Sequence, residues 1–276
     1  SGARSIPPDD GGTIVSLYVQ ETGAIGAQPI LFLHPGLVSG WMWQEPAKEF
    51  ADYHCLMPDL PGHGSSNRVK WVSFQDTADQ VAEVLRERVP GKRAHVVGYS
   101  LGAYVTAHLL ATAPELIERA VICGAAVRPL PGSALFMNRL IVRFIKSKFL
   151  WNGLARMFGI PSEEHETFVH IGLSVSQASY ERINSQLASA QLPVGLAGAQ
   201  CPTLIVAGEK EPKAVVQSVG DLMATLPNGH GYLAPKGDHY WGFKNPETFV
   251  QMMQAWINND SLPQELIPVD DRNRVS

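Results

Sequence analysis

The sequence predicts an α/β fold: a mostly parallel, doubly wound sheet with helices on both faces and a helical segment inserted late in the chain. Three observations predict it. Short apolar runs bounded by Gly or Pro alternate with stretches of helical periodicity. The segment Gly98-Tyr99-Ser100-Leu101-Gly102 joins one such run directly to a helix-like stretch. About seventy helix-like residues, 128–199, then interrupt the alternation.

Seven runs read as buried strands: residues 14–19, 29–33, 54–58, 94–97, 120–123, 203–207 and 231–234. They are short and often β-branched, as strands covered on both faces are. Helical patterns occupy 74–88, with Val81, Val84 and Leu85 on one face, then 103–113, 215–226 and 246–257. The alternation implies right-handed crossovers, a parallel sheet and ligand binding at the carboxyl ends of its strands. Ser100 sits at such an end. Residues 128–199 form an inserted helical lid, counted here as following the sixth core strand, between a core of residues 1–127 and one of 200–276. Pro129, Pro131 and Gly132 mark its first joint and Pro193, Gly195 and Gly198 its second. The tail after Asn258 is polar, carries Pro263 and Pro268, and is expected to wrap the surface or fray.

The 276 residues are 45% hydrophobic, enough to bury a substantial core, and the net charge is −4 with no long block of like charge near either end. Nothing draws the molecule to nucleic acid or an anionic surface as a whole, so the expected partner is a small molecule. No apolar run reaches the roughly 18 residues of a membrane span. The chain opens on Ser1-Gly2, as a processed N-terminus would, without the basic-then-apolar plan of a leader. Cys55, Cys123 and Cys201 are odd in number, far apart and set in or beside apolar runs. They read as core thiols in a reducing, cytoplasmic compartment, with no disulfide framework, no metal site and no cofactor.

The chemistry centres on Ser100. A strand turning sharply into a helix strains its turn residue, and the flanking glycines remove side chains that would collide there. Ser100 Oγ is then exposed at a helix N-terminus, where the Leu101 N–H can receive a developing oxyanion. A serine hydroxyl requires a base within hydrogen-bond reach and a carboxylate to orient that base. His239, on a Gly-containing loop just after the last strand, is the expected base; His230, His108, His165 and His170 sit before that strand, inside a helix or in the lid. The carboxylate is expected after the strand 203–207, where Gly208-Glu209-Lys210-Glu211-Pro212 offers Glu211, three residues past the glycine, with Glu209 as runner-up. Cys123-Gly124-Ala125-Ala126, after the preceding strand, holds no acid. A second oxyanion donor is expected from the loop His34-Pro35-Gly36-Leu37.

With the Ser…Glu…His order, the G-x-S-x-G elbow, that loop, the stretch Asp59-Leu60-Pro61-Gly62-His63-Gly64-Ser65 and the inserted lid, the chain resembles the α/β-hydrolase superfamily, as a lid-bearing serine hydrolase of esterase or lipase type. The resemblance covers nearly the whole chain. It implies that the Gly36 N–H is the second oxyanion donor, that His34 orders its loop, and that residues 59–65 are a structural turn rather than a metal or phosphate loop. Pro35 stands where that family usually has Gly, which stiffens the loop and removes only proline's own N–H. Related dehalogenases and epoxide hydrolases carry an aspartate nucleophile, so Ser100 implies acyl chemistry.

Trp41 and Trp43 follow the oxyanion loop, and the lid supplies Phe136, Phe144, Phe149, Trp151, Phe158 and Phe168. The expected substrate pocket is Leu37, Trp41, Tyr99, Phe136, Phe144, Trp151, Tyr240 and Trp241, suited to a small hydrophobic ester. From Arg128 to Arg156 the lid carries six basic residues and no acid, which points to a weak contact with a lipid surface. Carbon–carbon bond hydrolysis or lactone hydrolysis with the same residues is the alternative reaction. A slow-turnover ligand receptor on the same fold is the alternative of another class.

Overall fold

The structure, a computed structural model, describes residues 16–130 and 132–269, apart from the side chains of residues 134 and 135. Among the described residues eight strands form one sheet: β1 Val19–Gly23, β2 Pro29–Leu33, β3 His54–Pro58, β4 Ala94–Tyr99, β5 Ile117–Cys123, β6 Thr203–Gly208, β7 Gly229–Ala234 and β8 Ile267–Pro268. Their order is β1-β3-β2-β4-β5-β6-β7-β8. The six inner strands pair in parallel, while β1 on β3 and β8 on β7 are antiparallel.

Period-two alternation divides the strand residues between two cores. Leu31, Leu33, Val96, Ala120, Ile122, Ile205 and Ala207 face one core, which they share with helices α2 Phe74–Arg88, α3 Leu101–Thr112 and α8 Lys213–Thr225. Ile30, Phe32, Val97, Val121, Cys123, Leu204 and Val206 face the other, against the short α1 Gln44–Lys48, the single turn α9 Trp241–Lys244 and α10 Pro246–Asn258. Helix α2 starts where the Ser73 side chain accepts the Asp76 N–H at 3.0 Å. Helix α3 carries almost no polar face: every residue from 101 to 107 is buried. Helices lie on both faces, so this is the predicted doubly wound sheet.

Three expectations are corrected. The first strand is Val19–Gly23, beginning where the apolar run 14–19 ends; residues 14 and 15 lie outside the described residues. The inserted helices α4 Gly132–Phe144, α5 Lys148–Phe158, α6 His165–Ser174 and α7 Gln177–Leu187 follow the fifth strand, not the sixth, because only five strands precede them among the described residues. The tail does more than drape: β8 pairs with β7 and Leu266 is buried, so it adds an edge strand. Pro131, offered as a joint marker, lies outside the described residues, as does the tail from residue 270.

Candidate active site

Ser100 ends β4 and caps α3 with φ 51° and ψ −111°, a left-handed backbone that costs a serine on the order of 1 kcal/mol or more. Close packing enforces it. A Cβ on Gly98 would fall 2.2 Å from Thr106 Oγ1 and 2.4 Å from the Gly102 carbonyl oxygen, and one on Gly102 would fall 2.2 Å from the Leu33 carbonyl oxygen. Strand, helix and neighbouring strand therefore approach at a distance only two glycines allow. The Ser100 N–H donates to the Cys123 carbonyl at 2.7 Å, which holds the turn against β5.

Ser100 Oγ lies 2.8 Å from His239 Nε2, and His239 Nδ1 lies 2.5 Å from Glu211 Oε2. The carboxylate accepts the Nδ1 proton, which leaves Nε2 free to accept the serine hydroxyl. Glu211 is positioned by its own turn: its Oε1 accepts the Gly208 N–H at 3.0 Å, and its N–H donates to the Gly208 carbonyl at 3.1 Å. That reciprocal pair is the physical content of the three-residue spacing. Glu209 points elsewhere and accepts the Lys236 N–H at 2.7 Å. Gly124, with φ 72°, keeps this space open, since a Cβ there would lie 3.2 Å from His239 Cε1 and 3.5 Å from Glu211 Oε1.

The carboxylate is almost fully buried, while the imidazole is one-third exposed. Burial pulls the His239 pKa down, but the charge and hydrogen bond of Glu211, helped by Asp238, outweigh it, and the net shift is upward. Tyr99 fixes the histidine loop by donating its hydroxyl to the His239 carbonyl at 2.8 Å.

The loop after β2 is aimed by His34. Its Nε2 accepts the Leu60 N–H at 2.9 Å, so Nδ1 carries the proton and donates to the Pro35 carbonyl at 2.7 Å. In a trans peptide the carbonyl and the next N–H point opposite ways, so drawing the Pro35 carbonyl toward His34 turns the Gly36 N–H away from it. Burial, then the neighbouring His63, drive the His34 pKa down to about 3, so it works as a neutral strut. Leu37, expected in the pocket, lines the same cavity as Ser100 and adopts φ 74°, a strained backbone for a non-glycine residue. Asp59 ties the base of this loop by accepting the Gly40 and Ser65 N–H groups, each at 2.7 Å. No metal-binding group of His, Cys, Asp or Glu occurs among the described residues. Nor do the Gly36 and Leu101 N–H groups donate to any acceptor among them, so both are open to a ligand.

Above Ser100 lies a cavity of about 300 Å³, roofed by Met137, Asn138, Ile141, Phe158, Tyr180, Ile183 and Leu187 of the inserted helices. Leu37, Tyr99 and Tyr240 of the expected pocket line it. The others do not. Trp41 borders a second cavity of about 210 Å³ that shares Tyr99, Phe158 and Phe243 with the first. Trp151 is buried inside the insertion against Phe168, in space left by Gly172, with its Nε1 donating to the Ile145 carbonyl at 2.7 Å. Trp241 packs on Phe249 in the lower core. Phe136 is 65% exposed and Phe144 half exposed, because α4 turns Met137 and Ile141, four apart, toward the cavity. Aromatic content predicted a pocket here; helical phase decided which residues line it. Tyr180 was missed, although its spacing with Ile183 and Leu187 marks one face of α7.

A family model for the alpha/beta hydrolase family matches residues 30–252. A protein from Gibberella zeae described as an AB hydrolase superfamily protein is 26% identical over 253 residues, covering 88% of this chain and 85% of its own length. The (E)-2-((N-methylformamido)methylene)succinate hydrolase of Acinetobacter baylyi is 23% identical over 243 residues, covering 83% and 90%. Among solved structures, the enol-lactonase from Burkholderia xenovorans superposes with a TM-score of 0.75 at 16% identity, covering 88% of this chain and 96% of its own.

The geometry around the imidazole yields a test independent of any substrate. NMR titration should find the His239 ring protonating above the ordinary imidazole value of 6.5, and Glu211→Gln should move that midpoint downward by removing the charge that raises it. A midpoint unmoved by Glu211→Gln would show that the carboxylate does not act on the ring.

Proposed function

The chain belongs to the alpha/beta hydrolase family, and from that premise we propose that it is a serine hydrolase cleaving a carboxylic ester of a small, uncharged, largely hydrophobic substrate. The observation that carries this reading is the hydrogen-bonded run from Glu211 through His239 to Ser100 at the floor of an apolar cavity. Ser100 Oγ attacks the ester carbonyl as its proton passes to His239 Nε2. The carbonyl π pair moves onto oxygen, and the Leu101 and Gly36 N–H groups receive that charge. The C–O bond to the alcohol then breaks, His239 returns the proton to the leaving oxygen, and an acyl ester on Ser100 remains. Water, deprotonated by His239, releases the acid and restores the serine. Each oxyanion donor lowers the barrier by about 3 kcal/mol.

Substrate charge follows from the lining. The lining holds no Lys or Arg, and its only acid and imidazole groups are Glu211 and His239 of the reacting centre itself. A carboxylate-bearing substrate would find no Lys or Arg partner there, which favours an uncharged substrate. In this reading residues 128–199 serve as a lid over cores of residues 1–127 and 200–276. No helix among the described residues is long and apolar enough to cross a membrane. We assign the protein to a reducing, cytoplasmic setting on its three free, buried cysteines.

The lid's outer face supports a weak lipid contact. Phe136, Leu140, Phe144 and Phe149 are exposed there, Phe149 at 89%, beside the exposed Arg139 and Arg143. Two of the six basic residues are committed elsewhere: Arg128 pairs with Asp221 at 2.5 Å, and Lys146 donates to the Leu173 and Val175 carbonyls.

A fluorophosphonate should label wild-type protein, and Ser100→Ala should abolish the label. Ser100→Ala and His239→Ala should each lower kcat on neutral aryl and alkyl esters by about a millionfold, and Glu211→Gln by on the order of ten-thousandfold. A stoichiometric burst without steady turnover would favour the receptor, and absence of labelling would reject a serine nucleophile. Co-sedimentation should be stronger with phosphatidylglycerol vesicles than with phosphatidylcholine ones and should drop in the Arg139→Glu, Arg143→Glu double variant. Equal binding by both proteins would contradict the lipid contact.

A further inference from the structure

Tyr180 is a polar side chain at the reacting centre that the steps above leave unused. It sits on α7, is 94% buried by its 6% exposure, and lines the cavity floored by Ser100. Its ring edge lies against the oxyanion loop: a Cβ on Gly36 would stand 3.3 Å from Tyr180 Cε2 and 4.0 Å from its hydroxyl. No acceptor or donor among the described residues pairs with that hydroxyl, so an unused donor faces the cavity next to Gly36. Burial, with Tyr240 close by, raises the phenol's pKa, which keeps the proton on it.

The helix that carries Tyr180 is the firmly held part of the insertion. The Ser176 N–H donates to the Gly62 carbonyl at 2.8 Å, the Trp71 N–H to Ser179 Oγ at 3.2 Å, and Gln186 exchanges bonds with the Trp71 indole at 3.0 Å and the Val72 carbonyl at 2.7 Å. Gly62, at φ 82°, meets Ser179 so closely that an added Cβ would fall 2.4 Å from the serine Cβ. The hydroxyl is therefore presented from a rigid mount, which is what a preorganised donor requires.

We propose that Tyr180 is a catalytic residue, a third oxyanion donor supplied by the inserted helices alongside the Gly36 and Leu101 N–H groups. The inference rests on the serine hydrolase reading. When Ser100 Oγ bonds to the acyl carbon, the π pair of the carbonyl moves to oxygen and the serine proton goes to His239. Tyr180 keeps its own proton and donates a hydrogen bond to the new anion. Charge develops only in the transition state, so the contribution appears in kcat rather than KM.

The test is Tyr180→Phe, which deletes an unpartnered hydroxyl and leaves the ring, and so the anchorage of α7, in place. The first readout is the second-order rate at which a fluorophosphonate modifies Ser100, where an Oγ–P bond forms, fluoride leaves and the phosphoryl oxygen takes the carbonyl's position. That rate should fall by about tenfold to a hundredfold at unchanged melting temperature. On a neutral aryl ester kcat should fall comparably, with KM within about twofold of wild type. Wild-type phosphonylation in Tyr180→Phe, or a loss confined to KM, would overturn the proposal. Slowed phosphonylation in a protein that turns over no ester would uphold Tyr180 as a donor and overturn the ester reading instead.

Discussion

The structure depends on the close approach of β4, α3 and β2 around Ser100. A hypothetical Cβ at Gly98 or Gly102 would meet oxygen atoms of Thr106, Gly102 or Leu33 at 2.2–2.4 Å, which leaves no room for any larger residue. Because strand and helix meet so tightly, the connecting residue has one backbone solution, and Ser100 takes it at φ 51°. That solution lifts the hydroxyl out of the sheet and points the first N–H of α3 toward the same side. The proposed nucleophile and one proposed oxyanion donor are thus two consequences of one packing constraint, and the cost of the strained residue is covered by the core that closes over it.

The remaining parts are held by backbone rather than by chance convergence of side chains. Glu211 is locked by its reciprocal turn with Gly208, His239 by the Tyr99 hydroxyl on its carbonyl, and Gly36 by the His34 ring on the preceding carbonyl. In each case a neutral or buried group immobilises a peptide plane, so little reorganisation is required when charge develops. The electrostatics oppose one another in a useful way. Burial works against a charged imidazole, and the nearly enclosed carboxylate works for it with greater effect. A ring that gains protons readily is the partner a serine hydroxyl requires.

Much of this was legible in the residues, and the failures have physical causes. Most of the parallel strands were found because burial on both faces makes their central segments apolar, whereas β1 escaped because it is an edge strand whose Glu21 pairs with His54 and Arg88. An apolar-run criterion selects the wrong segment there. The glycine register separated Glu211 from Glu209 because the turn it encodes is closed by the carboxylate itself. Pocket residues were read poorly: Phe136, Phe144, Trp151 and Trp241 have the right chemistry and the wrong direction, since composition does not record helical phase. Tyr180 escaped for the same reason in reverse, its role set by the seating of α7 on Gly62 and Trp71, contacts that no local pattern announces.

The most direct measurement is a crystal structure of the protein with a phosphonate bound covalently to Ser100. The account predicts the phosphoryl oxygen at about 2.7–3.1 Å from both the Leu101 and Gly36 N–H groups, with His239 still bridging Glu211 and the Ser100 oxygen. An adduct on another residue, or a phosphoryl oxygen turned away from both N–H groups, would contradict it.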